Sequence, residues 1–262
     1  PPPRAAVAPG FSGCVSKVCG IVTSNHATLP VAALVSPTPK LPPAPVETYG
    51  MAPDGAILQW TIYAPTGQGP WPAVMLIHGG GFTKGDMSSS PESVTTARDL
   101  QSAGFLAFSV QYRLAPPGVI AGQTSTGEAP QQYDDVKMAA RAMRADPRCN
   151  GHLGVIGGSA GGAHAAWLAV DHAETALWTG SDRPECAVGL SGAYDFLDYR
   201  TDIYNAVTGF ISSVSAYCGT PNTATPSDAD RAILQANSAV TRVDTTTKPM
   251  LLLPSEYDPS PP

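Results

Sequence analysis

The nine residues Gly-Val-Ile-Gly-Gly-Ser-Ala-Gly-Gly, 154 to 162, place Ser159 inside G-x-S-x-G, between a β-branched apolar run and an alanine-rich one. A serine held at a sharp strand-to-helix turn has its Oγ exposed and suited to attack a carbonyl carbon. The glycines have a steric reason, because a Cβ at 157 or 161 is expected to collide with a neighbouring strand or helix. A second group, His78-Gly79-Gly80-Gly81-Phe82, ends the apolar run Ala73-Val74-Met75-Leu76-Ile77. Main-chain N–H groups at such glycines could receive the oxyanion that attack on an ester creates.

These residues need rigid elements to hold them. Ile57 to Tyr63 reads as a strand ended by Ala64-Pro65, and Gly67 to Pro70 as the turn into the strand that ends at His78. Pro91 to Gly104 reads as a helix, with Pro at its first position and Gly beyond its end. Phe105 to Tyr112 is the next buried strand. Gln131 to Arg144 puts Val136, Ala139, Ala140 and Met143 on one helical face; Leu153 to Ile156 is the strand before Ser159, and Ala160 to His172 the helix after it. Ala187 to Leu190 and Met250 to Leu253 complete the apolar strands. Alternating strands and helices predict an α/β fold, a mostly parallel sheet with helices on both faces.

Around this core, residues 1–45 are rich in Pro, Ala, Ser and Val and read as an N-terminal arm, with the catalytic domain at 46–262. Between 195 and 247 the pattern loosens into short helical stretches, Ile203 to Tyr217 and Ala229 to Ala236. An excursion of that length is read as a partial cap over an acyl pocket, with Phe196, Tyr199, Tyr204 and Phe210 as its aromatic candidates or simply as packing.

With 262 residues and 43% hydrophobic content, the chain suffices for one sizeable core and is short for two α/β domains. A formal charge of -6 and only 14% charged residues exclude the basic footprint that nucleic acid or an anionic membrane needs. A small neutral substrate fits, and no apolar run reaches the roughly 20 residues of a membrane span. The 5 cysteines leave at least one thiol free or paired with another molecule. Cys149 and Cys186, each just before a strand expected to lie beside the other, are in prospective bridging range, which favours a secreted or periplasmic protein over a cytoplasmic one. Cys14 and Cys19 lack the partner pair of a zinc site, His172-Ala173-Glu174 lacks the cysteine half of a zinc-deaminase signature, and the glycines at 157, 158, 161 and 162 do not form a dinucleotide loop; no metal or cofactor is expected.

Four segments together, His78 to Phe82, Tyr112-Arg113-Leu114-Ala115-Pro116, Gly157 to Gly162 and Glu256-Tyr257-Asp258-Pro259, resemble the α/β-hydrolase superfamily, and within it the hormone-sensitive-lipase-like esterases. The resemblance covers about residues 46 to 258. It implies an α/β-hydrolase fold, Ser159 as nucleophile and Asp258 as the acid that orients a histidine. It also implies an oxyanion hole from the N–H groups of Gly80, Gly81 and Ala160, with Gly79 a weaker choice. The function so implied is a serine carboxylic-ester hydrolase for short to medium acyl esters. A polysaccharide-directed acetyl or feruloyl esterase, or a non-catalytic hydrolase-like binding protein, are the alternatives.

One part of the family's pattern is not met. Its histidine follows the acid by a few tens of residues, whereas this sequence ends at Pro262. His78 belongs to the glycine loop, His164 and His172 to the helix after the nucleophile, His152 precedes a strand at the wrong end of the sheet, and His26 lies in the arm. The expectation is an incomplete C-terminus, with Met250 to Leu253 left as an uncovered apolar edge. Asp134, Asp135 and Asp146 read as solvated charges of a surface helix, and Asp195 as an anchor of the cap.

Overall fold

Strand β3 (Trp71–Ile77) is buried along most of its length, and its side chains divide between two cores. Ala73, Met75 and Ile77 pack in one apolar cluster, Val74 and Leu76 in another, as the two-residue period of a strand requires. The first cluster is closed by Val136, Ala139, Ala140 and Met143 of helix α2 (Gln131–Ala145) and by Ala165 and Leu168 of α3 (Ala160–Val170). The second is closed by Ala97 and Leu100 of α1 (Pro91–Ser102). The helices therefore lie on both faces of the sheet, as the alternation of elements predicts.

The computed structural model describes residues 44–88, 91–171, 182–197, 210–223 and 225–254. The remaining strands are β1 (Val46–Met51), β2 (Ile57–Tyr63), β4 (Leu106–Val110), β5 (Cys149–Gly158), β6 (Cys186–Leu190) and β7 (Met250–Leu253). They form a 7-stranded sheet in the order β1-β2-β4-β3-β5-β6-β7. The stretch from β4 to β7 is parallel, whereas β1 and β2 pair antiparallel with each other and β2 pairs antiparallel with β4. Strand β1 is absent from the sequence reading. Its side chains are half-buried or exposed, so it lacks the continuous apolar run that marks the interior strands.

Helices α4 (Phe210–Cys218) and α5 (Asp228–Ala236) occupy the region expected to form the cap. The expected arm falls outside the described residues except for Ala44 and Pro45, as do Tyr199, Tyr204 and the side chain of Phe210. At the end of the described sheet, Leu251, Leu252 and Leu253 of β7 remain 39%, 42% and 43% exposed. No helix among the described residues is long and apolar enough to cross a membrane.

Two expectations are corrected. Cys149 and Cys186 are not bridged, because Cys186 pairs in register with Gly154, five residues further along β5 than Cys149. At about 3.3 Å per residue that offset is about 16 Å, far beyond disulfide reach, and it removes the argument for export. Asp135 is not a solvated charge but fully buried. Its carboxylate accepts from Arg113 Nε at 2.9 Å and Nη2 at 2.8 Å, and from the Arg113 backbone N–H at 2.9 Å. Arg113 also reaches Asp54 at 3.1 Å, tying the β1–β2 turn to the segment after β4. Asp134 is exposed as expected, whereas Asp146 shares the correction: its side chain is only 8% exposed and accepts from Arg148 Nη2 at 2.6 Å and Nε at 2.9 Å, a local partner that takes the place of water.

Candidate active site

Parallel pairing of β3 with β5 brings Ile77 opposite Gly157, so the segments leaving both strands emerge side by side at one end of the sheet. That is where open α/β sheets carry their sites. Ser159 joins β5 to α3 with φ 53° and ψ −121°, a left-handed conformation unusual for a residue with a side chain. Its N–H donates to the Leu190 carbonyl at 2.8 Å, which anchors the turn to β6.

The glycines around Ser159 are required by backbone packing. A Cβ on Gly157 would lie 2.0 Å from the Gly161 carbonyl oxygen, and one on Gly161 would lie 2.1 Å from that of Ile77. Gly158 is different, since a Cβ there meets nothing within 4 Å. The sequence argument thus holds for positions 157 and 161.

After β3 the chain turns back on itself: Gly80, Gly81 and Phe82 all have positive φ, at 123°, 58° and 64°. The Gly80 carbonyl accepts from the N–H of Lys84 at 3.0 Å, closing the loop. Backbone packing also accounts for glycine at 79 to 81. A Cβ on Gly79 would meet the Gly158 carbonyl oxygen at 2.8 Å and Ser159 Cβ at 3.1 Å, and one on Gly80 the Lys84 carbonyl oxygen at 2.1 Å. On Gly81 it would meet Ser213 Oγ of α4 at 2.8 Å, so α4 rests directly on this loop. Among the described residues the N–H groups of Gly80 and Gly81 have no acceptor. The N–H of Ala160, first in α3, has no acceptor within its helix.

His78 is nearly buried and stacks on Tyr112 with ring centroids 4.3 Å apart. Its Nδ1 lies 2.8 Å from the Gly79 carbonyl, which can only accept, so Nδ1 carries the proton. Burial lowers its pKa to about 4, leaving a neutral ring at ordinary pH. The Tyr112 hydroxyl donates to the His78 carbonyl at 2.9 Å, and burial pushes that phenol far up, so it stays a donor. His78 is thus held to the loop, as the sequence implies.

Among the described residues no imidazole is hydrogen-bonded to the Ser159 hydroxyl. His152 is exposed and lies within β5 near its start, inside the strand rather than before it. His164 is fully buried, with Nε2 3.0 Å from Gln132 Oε1. Asp258, His26 and His172 lie outside the described residues. Asp195 accepts from the Leu197 N–H at 2.9 Å, beside the buried Phe196. No group of three or more His, Cys, Asp or Glu side chains among the described residues is arranged to hold a metal ion.

Gln132 escaped the sequence reading. It is completely buried and stands four residues before Val136 and seven before Ala139, on the helix's apolar face. A polar residue at such a position was the available signal, since buried amides are held by specific partners.

The family model described as BD-FAE matches residues 61–262. No curated protein matches the chain by sequence. Among solved structures, Thermogutta terrifontis esterase 2 phosphonylated by sarin is similar at 19% identity and TM-score 0.60, over 82% of this chain and 73% of that one. The butyrate-bound form of the same esterase gives 20% identity and TM-score 0.59, over 82% and 72%. Its apo form gives 19% and 0.58, over 82% and 72%.

Proposed function

The chain belongs to the BD-FAE family and has the α/β-hydrolase fold, and from that premise we propose that it is a serine carboxylic-ester hydrolase acting through an acyl-enzyme on Ser159. The observation that carries the reading is the apposition of two strained turns, Ser159 at φ 53° with the glycine loop against its Cβ. Strain of this kind persists where the surroundings over-determine it, commonly at functional sites.

In the proposed reaction Ser159 Oγ attacks the ester carbonyl while its proton passes to an imidazole oriented by Asp258. The tetrahedral oxyanion is received by the N–H groups of Gly80, Gly81 and Ala160. On collapse the ester C–O bond breaks, and the imidazolium protonates the departing alcohol. Water then attacks the acyl-enzyme with the same imidazole as base, releasing the acid and restoring Ser159. Each oxyanion donor contributes about 3 kcal/mol where it can be measured singly. A short acyl group suits the reading, because the similar Thermogutta esterase has forms bound to butyrate and to propionate.

The test is covalent labelling of the intact protein with a fluorophosphonate, with the modified peptide mapped by mass spectrometry, beside hydrolysis of p-nitrophenyl butyrate and laurate. Labelling at Ser159 with faster turnover of butyrate is expected. Label elsewhere, or turnover without label at Ser159, refutes the mechanism.

A further inference from the structure

Phe82 has a backbone conformation that its side chain disfavours, and a specific set of contacts surrounds it. Its φ of 64° follows directly on the two glycines that offer N–H groups to the proposed oxyanion. Its ring is fully buried, stacked on Tyr217 of α4 at 4.4 Å and edge-on to His164 at 5.5 Å. Its carbonyl accepts from the Ala115 N–H at 2.9 Å and from Gln132 Nε2 at 2.9 Å.

Gln132 connects this carbonyl with the nucleophile's helix. Its Nε2 donates also to the Gly127 carbonyl at 2.8 Å, so both amide hydrogens are used and Oε1 is left to accept. Oε1 lies 3.0 Å from His164 Nε2. His164 must then carry its proton on Nε2, leaving Nδ1 bare and without a partner among the described residues. The imidazole stands edge-on to Phe82, Tyr112, Tyr133 and Tyr217, with centroids 5.0 to 5.7 Å away. A neutral ring among aromatics, at a fixed tautomer, is a directional contact rather than a titrating group. His164 lies five residues after Ser159 on α3, and the first turn of that helix presents the Ala160 N–H.

We propose that Gln132 and His164 are a positioning pair, which locks the Phe82 carbonyl to the helix bearing Ser159 and so keeps the Gly80 and Gly81 N–H groups aligned with that of Ala160. The pair touches neither substrate nor reacting atoms; it acts through Phe82. The inference rests on the reading above in which those three N–H groups receive the oxyanion. Alignment of donors that come from two different elements depends on what joins them, and a misplacement of about 1 Å can cost a preorganised site about a hundredfold.

The experiment compares His164→Met, which removes the donor, with His164→Gln, which keeps an amide N–H near the position of Nε2. With p-nitrophenyl butyrate, His164→Met should lower kcat about tenfold, the size of one hydrogen bond's contribution, with KM within about twofold. His164→Gln should return kcat to within about threefold of wild type. Hydrogen exchange of the 78–85 peptide, measured without substrate, should speed up in His164→Met and return toward wild type in His164→Gln. Should His164→Met fail to fold, Gln132→Met, similar in length and lacking donors, carries the same expectation. Equal kcat in the two His164 variants, or a wild-type kcat and unchanged loop exchange in the donor-free one, overturns the pair. A wild-type protein that neither turns over ester nor reacts at Ser159 defeats the esterase reading instead, and the loop exchange then decides the coupling alone.

Discussion

Gly79 and Ser159 are in contact across two loops, so close that a methyl group on Gly79 would lie 3.1 Å from Ser159 Cβ and 2.8 Å from the Gly158 carbonyl oxygen. The turn at Ser159 and the glycine loop therefore share one packed boundary. In the proposed reaction it sets the distance between attacking oxygen and oxyanion donors, and several consequences of substitution there can be worked out.

Ser159→Ala removes one oxygen from a turn whose other contacts, including the N–H to Leu190, are main-chain. The variant should fold with a Tm within a few degrees of wild type and retain less than about a thousandth of the esterase activity, given the usual contribution of a triad nucleophile. Activity above that level in a clean preparation argues against Ser159 as the attacking group.

Gly80→Ala places a methyl 2.1 Å from the Lys84 carbonyl oxygen at a φ of 123°, so the turn has to move. If its N–H serves charge that develops only in the transition state, kcat should fall about a hundredfold while KM changes little. An unchanged kcat with a raised KM would reassign Gly80 to substrate binding.

Gly158 and Gly161 should respond oppositely to the same substitution. A Cβ on Gly161 would sit 2.1 Å from a backbone oxygen, whereas on Gly158 it meets nothing within 4 Å. Gly161→Ala is expected to lose more than about 3 kcal/mol in urea unfolding, or to express as insoluble protein, and Gly158→Ala to stay within about 0.5 kcal/mol of wild type. A loss for Gly161→Ala as small as that for Gly158→Ala would mean that α3 packs more loosely against the end of β3 than the structure has it.

The buried imidazoles predict acid sensitivity. Burial lowers the pKa of His78 to about 4 and that of His164 to about 3, so between these values and the unfolded value near 6.5 the unfolded chain binds more protons. Stability is then undiminished above about pH 6.5 and is lost as pH falls toward 4. Between pH 7 and pH 5 the two together should cost about 4 kcal/mol, read as a shift of the urea midpoint, and His164→Gln should remove about half of that dependence. A midpoint unchanged across this range would show that both rings are protonated or open to water in the folded state, and a shift of half the size that one of them is.

Much of this protein is legible locally. The apolar runs of β3, β4, β5 and β6, the stripe on α2, and the spacing of Ser159 among its glycines each reflect interactions within a few residues, and each element is found within a few residues of its expected bounds. The glycine loop and the turn at Ser159 were legible for the same reason, since chain direction there is set by positions that tolerate no Cβ. What the sequence could not decide depends on register and on partners distant in the chain. Cys149 and Cys186 are separated by a five-residue offset that only strand pairing defines. Asp135 is buried because Arg113, 22 residues away, supplies its hydrogen bonds; without that knowledge a helical aspartate reads as solvated. Gln132 and His164 meet across 32 positions, and their significance lies in the Phe82 carbonyl, 50 positions from Gln132. Periodicity can tell that a residue faces the core, but only the packing of α2 against α3 beneath the loop after β3 decides which polar groups meet there, because a buried hydrogen bond is set by the geometry of both partners.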